Sequence, residues 1–123
     1  MAWELNSDRP IYTQILEKIQ TRIISGVYKP GDRLPSVREL AAEANVNPNT
    51  MQKAFAELER SGLILTQRNS GRTVTEDTNM ISQLQTQVAL SQVQNFFQAM
   101  MELGFNKDDI LAFVKKAMEE GAE

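Results

Sequence analysis

The sequence predicts a mainly α-helical protein carrying one small β-hairpin. Three observations support this. Apolar residues recur at helical spacing in five separate stretches. Residues that cap helix starts, and glycines that end helices, punctuate those stretches. One region alone, Leu63–Gln67 and Arg72–Thr75, has the β-branched and aliphatic content of two paired strands, with the polar turn Arg68-Asn69-Ser70-Gly71 between them.

The first helix is expected from about Asp8 to Ser25, with Asp8 as its cap and Pro10 in its first turn, where a missing N–H costs nothing. Ile11, Ile15, Ile19 and Ile23 recur at four-residue spacing and form a wide apolar face. Tyr28–Pro35 reads as a turn-rich connector around Pro30-Gly31, with Leu34 packing inward. Ser36-Val37-Arg38-Glu39 is a capping box that opens a second helix of about eight residues, ending near Asn45. Val37, Leu40, Ala41 and Ala44 form its inner face. Asn47 caps the third helix, Pro48 occupies its first position, and Met51, Phe55 and Leu58 face the core. Gly62 stops it. A polar break at Glu76–Asn79 leads into a long helix from about Asn79 to Leu103. Gly104 ends that helix, and Asn106 caps a last one, with Asp108 and Asp109 well placed in its first turn.

Composition excludes several chemistries. The 123 residues include no Cys and no His, so thiol chemistry, disulfides, zinc fingers and His-based acid–base catalysis are absent. Catalysis would rest on carboxylates alone, and no close Asp/Glu pair falls on a concave element, so no enzyme, no cofactor and no metal are expected. No run approaches the 18 apolar residues of a membrane span, and the start, Met1-Ala2-Trp3-Glu4-Leu5, lacks a signal-peptide layout. A soluble cytoplasmic protein without a membrane partner is expected. Net charge is −3, unevenly divided. Residues 1–75 carry 10 Lys/Arg against 8 Asp/Glu, and residues 76–123 carry 3 against 8. A nucleic-acid partner needs a local basic surface, not a basic whole.

Two short helices joined by a tight turn and followed by a hairpin are the parts of a winged helix-turn-helix. The second helix of such a pair enters the major groove of double-stranded DNA. Its leading end here carries Asn47, Pro48, Asn49, Thr50, Gln52 and Lys53. Asn and Gln side chains match an adenine edge in two-pronged fashion, and Lys reaches guanine or phosphate. Free N–H groups of the first turn are also expected to favour a phosphate. Each of these residues taken alone reads as solvated surface; the ordered set of parts points to DNA. The alternative is a winged-helix module that binds protein and not DNA.

The run Pro30-Gly31-Asp32-Arg33-Leu34-Pro35-Ser36-Val37-Arg38-Glu39-Leu40-Ala41 resembles the signature of the GntR family of bacterial regulators. Asn47–Phe55, Leu58–Ile64 and the opening Arg9–Ile15 continue the resemblance, which covers roughly residues 8 to 75. It implies that Arg38 contacts DNA, that Asn47, Pro48, Asn49, Thr50 and Gln52 form the start of a recognition helix, and that Arg68, Asn69, Ser70 and Gly71 form a wing tip near the minor groove. Asn69 stands where the family usually has Gly, and Thr73 where it usually has an aromatic residue. The roughly 48 residues that follow are shorter than the family's common ligand-binding domains and resemble its short YtrA-type branch, in which two helices serve dimerization.

The expected organisation is a DNA-binding domain over residues 1–76 and a two-helix dimerization segment over 77–123. Two amphipathic helices alone cannot bury all their apolar faces. Leu84, Val88, Val93, Phe96, Phe97, Met100, Met101, Ile110, Phe113 and Val114 are the candidates to meet a second copy. A homodimer would place two recognition helices against half-sites about 34–36 Å apart and, bound near a promoter, would act as a repressor. The sequence names no operator and no effector.

Overall fold

A computed structural model describes residues 3–69 and 71–121. The order is α1 (Ile11–Ile24), α2 (Val37–Ala44), α3 (Pro48–Ser61), β1 (Ile64–Gln67), β2 (Gly71–Val74), α4 (Thr78–Glu102) and α5 (Lys107–Gly121). The chain divides into two compact units, one ending at Gln85 and one beginning at Thr86. Among the described residues, no helix is long and apolar enough to cross a membrane.

The core of the first unit is where periodicity placed it. Ile15, Ile19 and Ile23 of α1 meet Leu40, Ala41 and Ala44 of α2, and Met51, Ala54, Phe55 and Leu58 of α3. Leu34, Leu63, Ile64 and Val74 close it beneath the hairpin. The two buried alanines of α2, Ala41 and Ala44, carry no bulk beyond Cβ, which permits close approach of its neighbours. Trp3 and Leu5 pack on the cluster, as do Met80, Ile81 and Leu84 from the first turns of α4. Gln85 Nε2 donates to the carbonyl of Ile24 at 3.0 Å and ties α4 to the end of α1.

The start of α1 differs from expectation. The helix begins at Ile11, and Pro10 is its N-cap with extended backbone and no side-chain cap. Asp8 does not cap it. Gln14, buried in the first turn, performs the tethering instead. Its Nε2 donates to the carbonyls of Asn6 and Arg9 at 2.8 and 2.9 Å, and its Oε1 accepts the Asn6 N–H at 3.0 Å. These bonds satisfy a buried amide and hold the preceding segment in a bend that a continued helix could not make.

The hairpin is antiparallel, pairing Ile64 with Val74, Leu65 with Thr73, Thr66 with Arg72 and Gln67 with Gly71. The connector read as a turn contributes a further edge to it. Gly31 N–H donates to Val74, Val74 N–H to Asp32 and Leu34 N–H to Arg72 at 2.8–3.0 Å, and Arg33 bridges Thr73.

In α4 the Asp77 side chain accepts the Met80 N–H at 3.0 Å. In α5 Asn106 and Asp109 cap reciprocally, Asp109 N–H to Asn106 Oδ1 at 2.9 Å and Asn106 N–H to Asp109 Oδ2 at 3.2 Å. Phe105 and Phe113 meet edge to face at 4.9 Å.

Candidate nucleic-acid interface

The buttress of the site is α2. The Ser36 hydroxyl accepts the Glu39 N–H at 3.1 Å, and the Glu39 carboxylate accepts the Ser36 N–H at 2.9 Å. The Ser36 N–H, then its hydroxyl, hold the Glu39 carboxyl below its ordinary value, against slight desolvation. Arg38 lies exposed two residues past the cap and takes part in none of the ion pairs among the described residues. A local salt bridge therefore does not account for it.

The turn into α3 is three residues long. Asn45 adopts φ 59°, ψ 50°, and its N–H returns to the end of α2. Asn tolerates this left-handed conformation where most residues would be strained. Asn47 Oδ1 accepts the Asn49 N–H at 2.7 Å, and Pro48 occupies the first helical position. The backbone donors of that turn are thereby consumed. Pro48 has no N–H, Asn49 N–H is capped, and Thr50 and Met51 N–H bond the Asn47 carbonyl at 3.0 and 3.1 Å. The expectation that free first-turn N–H groups would hold a phosphate is thus corrected. What this end offers is side chains.

Asn49, Gln52 and Lys53 are exposed and Thr50 half-buried, while Met51, Ala54, Phe55 and Leu58 of the same helix are buried. Asn47 and Pro48 are exposed, and the Asn47 oxygen is committed to the cap. Lys53 Nζ sits 3.9 Å from the centroid of the Tyr12 ring, a cation–π contact that parks the ammonium over α1.

At the wing, Arg68, Asn69 and Gly71 are exposed. Gly71 has φ +75°, a conformation that a side chain would strain. Ser70 lies outside the described residues. Sequence reasoning missed what braces the wing. Glu59 of α3 accepts a hydrogen bond from Arg72 Nε at 3.0 Å and another from the Thr66 hydroxyl. Arg72 also lies over the Phe55 ring at 5.2 Å. The Thr66 bond, opposed by desolvation and aided by Arg72, holds the Glu59 carboxyl below its ordinary value. A second joint links the N-terminal segment, α1 and α2. Glu43 accepts from Arg22 at 2.6 Å and from the Trp3 indole at 2.7 Å, and Arg22 lies 4.8 Å over Trp3.

In the second unit Val93, Phe96, Met101 and Phe113 are exposed, with Phe96 at 45%. Val88, Phe97, Met100 and Val114 are half-buried, as is Leu84 of the first unit. Ile110 is 5% exposed in the single chain. It has almost no surface to offer a second copy, and its assignment to an interface is corrected. Leu103, just past the end of α4, and Met118 of α5, with Leu90 and Leu111, which the sequence did not single out, are more exposed than any of the candidates except Val93, Leu103 at 70%.

A braced wing beside a polar, solvent-facing helix end makes this domain a winged helix-turn-helix of the kind that regulates transcription. Residues 11–74 match the family described as bacterial regulatory proteins, gntR family. The chain belongs to the GntR family. It is 36% identical over 118 residues to YhcF of Bacillus subtilis, an uncharacterised HTH-type transcriptional regulator, covering 96% of this chain and 98% of that one. It is 49% identical over 71 residues to the B. subtilis transcriptional repressor YtrA, covering 58% of this chain and 55% of that protein. A GntR family transcriptional regulator from Listeria monocytogenes superposes with TM-score 0.84 at 46% identity, covering 91% of this chain and 98% of that one. The DNA-binding domain of AraR, solved in complex with its operator ORX1, superposes with TM-score 0.52 at 26% identity, covering 61% and 99%. These are transcription regulators, not enzymes, and the YtrA-type resemblance stands with them.

Proposed function

We propose that the chain is a cytoplasmic, sequence-specific repressor that binds a pseudo-palindromic operator as a homodimer. The observation that carries this reading is the division of α3. Its buried face belongs to the core, while Asn49, Thr50 and Gln52 at its leading end have no large apolar surface to hide and no side-chain hydrogen bond among the described residues. On this reading Asn49 and Gln52 read base edges and Thr50 supports them. Arg38 contacts the backbone, Lys53 swings from Tyr12 to a phosphate or guanine, and Asn47 and Pro48 fix the helix start. Arg68, Asn69, Ser70 and Gly71 approach the minor groove.

Residues 77–123 would supply the dimer contact. The exposed Val93, Phe96, Met101 and Phe113 support this, joined by Leu90, Leu103, Leu111 and Met118. Several exposed large apolar side chains on one small unit favour burial against a second copy. Joining two weak modules raises the effective concentration of the second once the first is bound. DNase footprinting of the region upstream of the chain's own gene tests the function. A protected site with two-fold symmetry is expected, and binding should fall steeply as salt rises. Affinity that is flat in salt, or absent at every sequence tried, favours the protein-binding alternative. Analytical ultracentrifugation tests the dimer; a monomer at all accessible concentrations rejects it.

A further inference from the structure

We infer that Arg33 is a phosphodiester contact of bound DNA, placed beside the wing tip; this rests on the DNA-binding reading above. The connector that carries Arg33 is not a free loop. Leu34 N–H donates to the Arg72 carbonyl at 2.8 Å, Val74 N–H donates to the Asp32 carbonyl at 2.9 Å, and Arg33 itself bridges Thr73. Its backbone is therefore a third edge of the wing, held to β2 by backbone hydrogen bonds.

From that edge the side chain runs toward the turn. Arg33 Nε and NH2 lie 3.8 and 3.9 Å from the point that a Cβ on Gly71 would occupy. The guanidinium thus lies along the wing backbone, at the same end as Arg68 and Asn69. It is exposed, and none of the ion pairs among the described residues includes it. Arg9, Arg22, Arg60 and Arg72 are each held by a carboxylate, Glu17, Glu43, Glu57 and Glu59 in turn. The carboxylate whose field Arg33 does share, Glu39, is committed to the Ser36 cap.

A planar group with five donors, anchored by a sheet edge and left without an anion, fits a phosphate oxygen pair. Phosphate contact adds affinity without sequence preference.

The test uses the full chain and a short mixed-sequence duplex, which reports phosphate contacts without an operator. Fluorescence anisotropy is read across a salt series for wild type, Arg33→Gln, Arg33→Lys and Lys18→Gln. Lys18 is an exposed cation on α1 that takes part in none of the ion pairs among the described residues, and it controls for overall charge. Arg33→Gln is expected to flatten the log–log salt dependence by about 0.9 per subunit, which changes the affinity lost between 50 and 200 mM salt by roughly 3.5-fold. Arg33→Lys should retain most of the slope, and Lys18→Gln all of it. A steep wild-type slope that Arg33→Gln leaves unchanged overturns the assignment alone. Equal flattening by Arg33→Gln and Lys18→Gln also overturns it, since the effect would then be general charge. A flat wild-type response overturns the DNA-binding reading itself. Circular dichroism melts of each variant identify a slope change caused by unfolding, which counts against the assignment.

Discussion

Glu59 joins the wing to the recognition helix, and replacing it by Ala measures how much of the wing's placement depends on α3. The substitution removes the acceptor of Arg72 Nε, at 3.0 Å, and of the Thr66 hydroxyl. The two charged side chains are 28% and 25% exposed, so solvent screens them only in part. Fully exposed pairs contribute under about 1 kcal/mol, and hydrogen bonds to charged groups about 1.5–3 kcal/mol. Arg72 keeps its contact with the Phe55 ring after the change, which limits the penalty of stranding it. The expected loss is therefore about 1.5 kcal/mol at neutral pH. At about 4–8 °C per kcal/mol for a domain of 60–100 residues, the melting temperature should fall by roughly 6–12 °C. The Glu59 carboxyl is held below its ordinary value of 4.5, so its contribution is complete above that value and is lost as pH falls through the lower folded one. The gap between wild type and Glu59→Ala in thermal melts should be widest near neutral pH and close in acid. A double-mutant cycle with Thr66→Ala and Arg72→Ala apportions the coupling. Melting curves that coincide at neutral pH, or a gap indifferent to acid, would refute the claim that this carboxylate braces the wing.

Other outcomes follow from the same geometry. Asn49→Ala and Gln52→Ala should each cost about 1–3 kcal/mol of discrimination between operator and mixed-sequence DNA, with nonspecific affinity nearly unchanged, as read by competition gel shift. Ser36→Ala removes one half of the capping box and should destabilise the first unit by about 1 kcal/mol in urea melts. Phe96→Asp, at a half-exposed aromatic position of α4, should shift the sedimentation equilibrium from dimer to monomer while leaving helical content intact; a dimer of unchanged strength removes Phe96 from the contact.

Local chemistry was legible in the sequence, and distant pairing was not. Ser36 with Glu39, Asn45, Asn47 with Pro48, and Asn106 are recognisable because a helix start is decided within four residues. The four-residue recurrence of Ile15, Ile19 and Ile23 likewise marks a buried face without reference to anything else. Asp8 misled because Pro10 and Gln14 together offer the chain a better-bonded bend, and Gln14 gives no capping signal from its place inside the helix. The edge formed by Gly31–Leu34 is too short to show alternation, and its partner is far along the chain. The bonds from Glu59 to Arg72 and from Glu43 to Arg22 and Trp3 have no spacing rule, because folding alone brings those groups together. Ile110 has the same apolar signature as Phe113, and only the folded chain tells the covered residue from the exposed one.

A chain of net charge −3 is an unexpected ligand for a polyanion, and pairing resolves the difficulty. Of the 10 Lys/Arg and 8 Asp/Glu in residues 1–75, four of each cancel in the pairs of Arg9, Arg22, Arg60 and Arg72. Beyond a Debye length of about 8 Å each pair is nearly silent. Arg33, Arg38 and Arg68, by contrast, stand on the α2 approach and the wing without a carboxylate partner among the described residues. The acidic surplus of residues 76–123 lowers the total without neutralising those three. Salt dependence should therefore follow the local cations and ignore the net charge. With Lys53 on a guanine edge, these three contacts per subunit give a log–log slope of about −2.7, and a dimer seated on both half-sites about −5.4; Lys53 on a phosphate adds about −0.9 per subunit. A measured slope near −2.7 at saturating operator would mean that one subunit binds at a time, and a slope near zero would mean that these arginines serve some other surface.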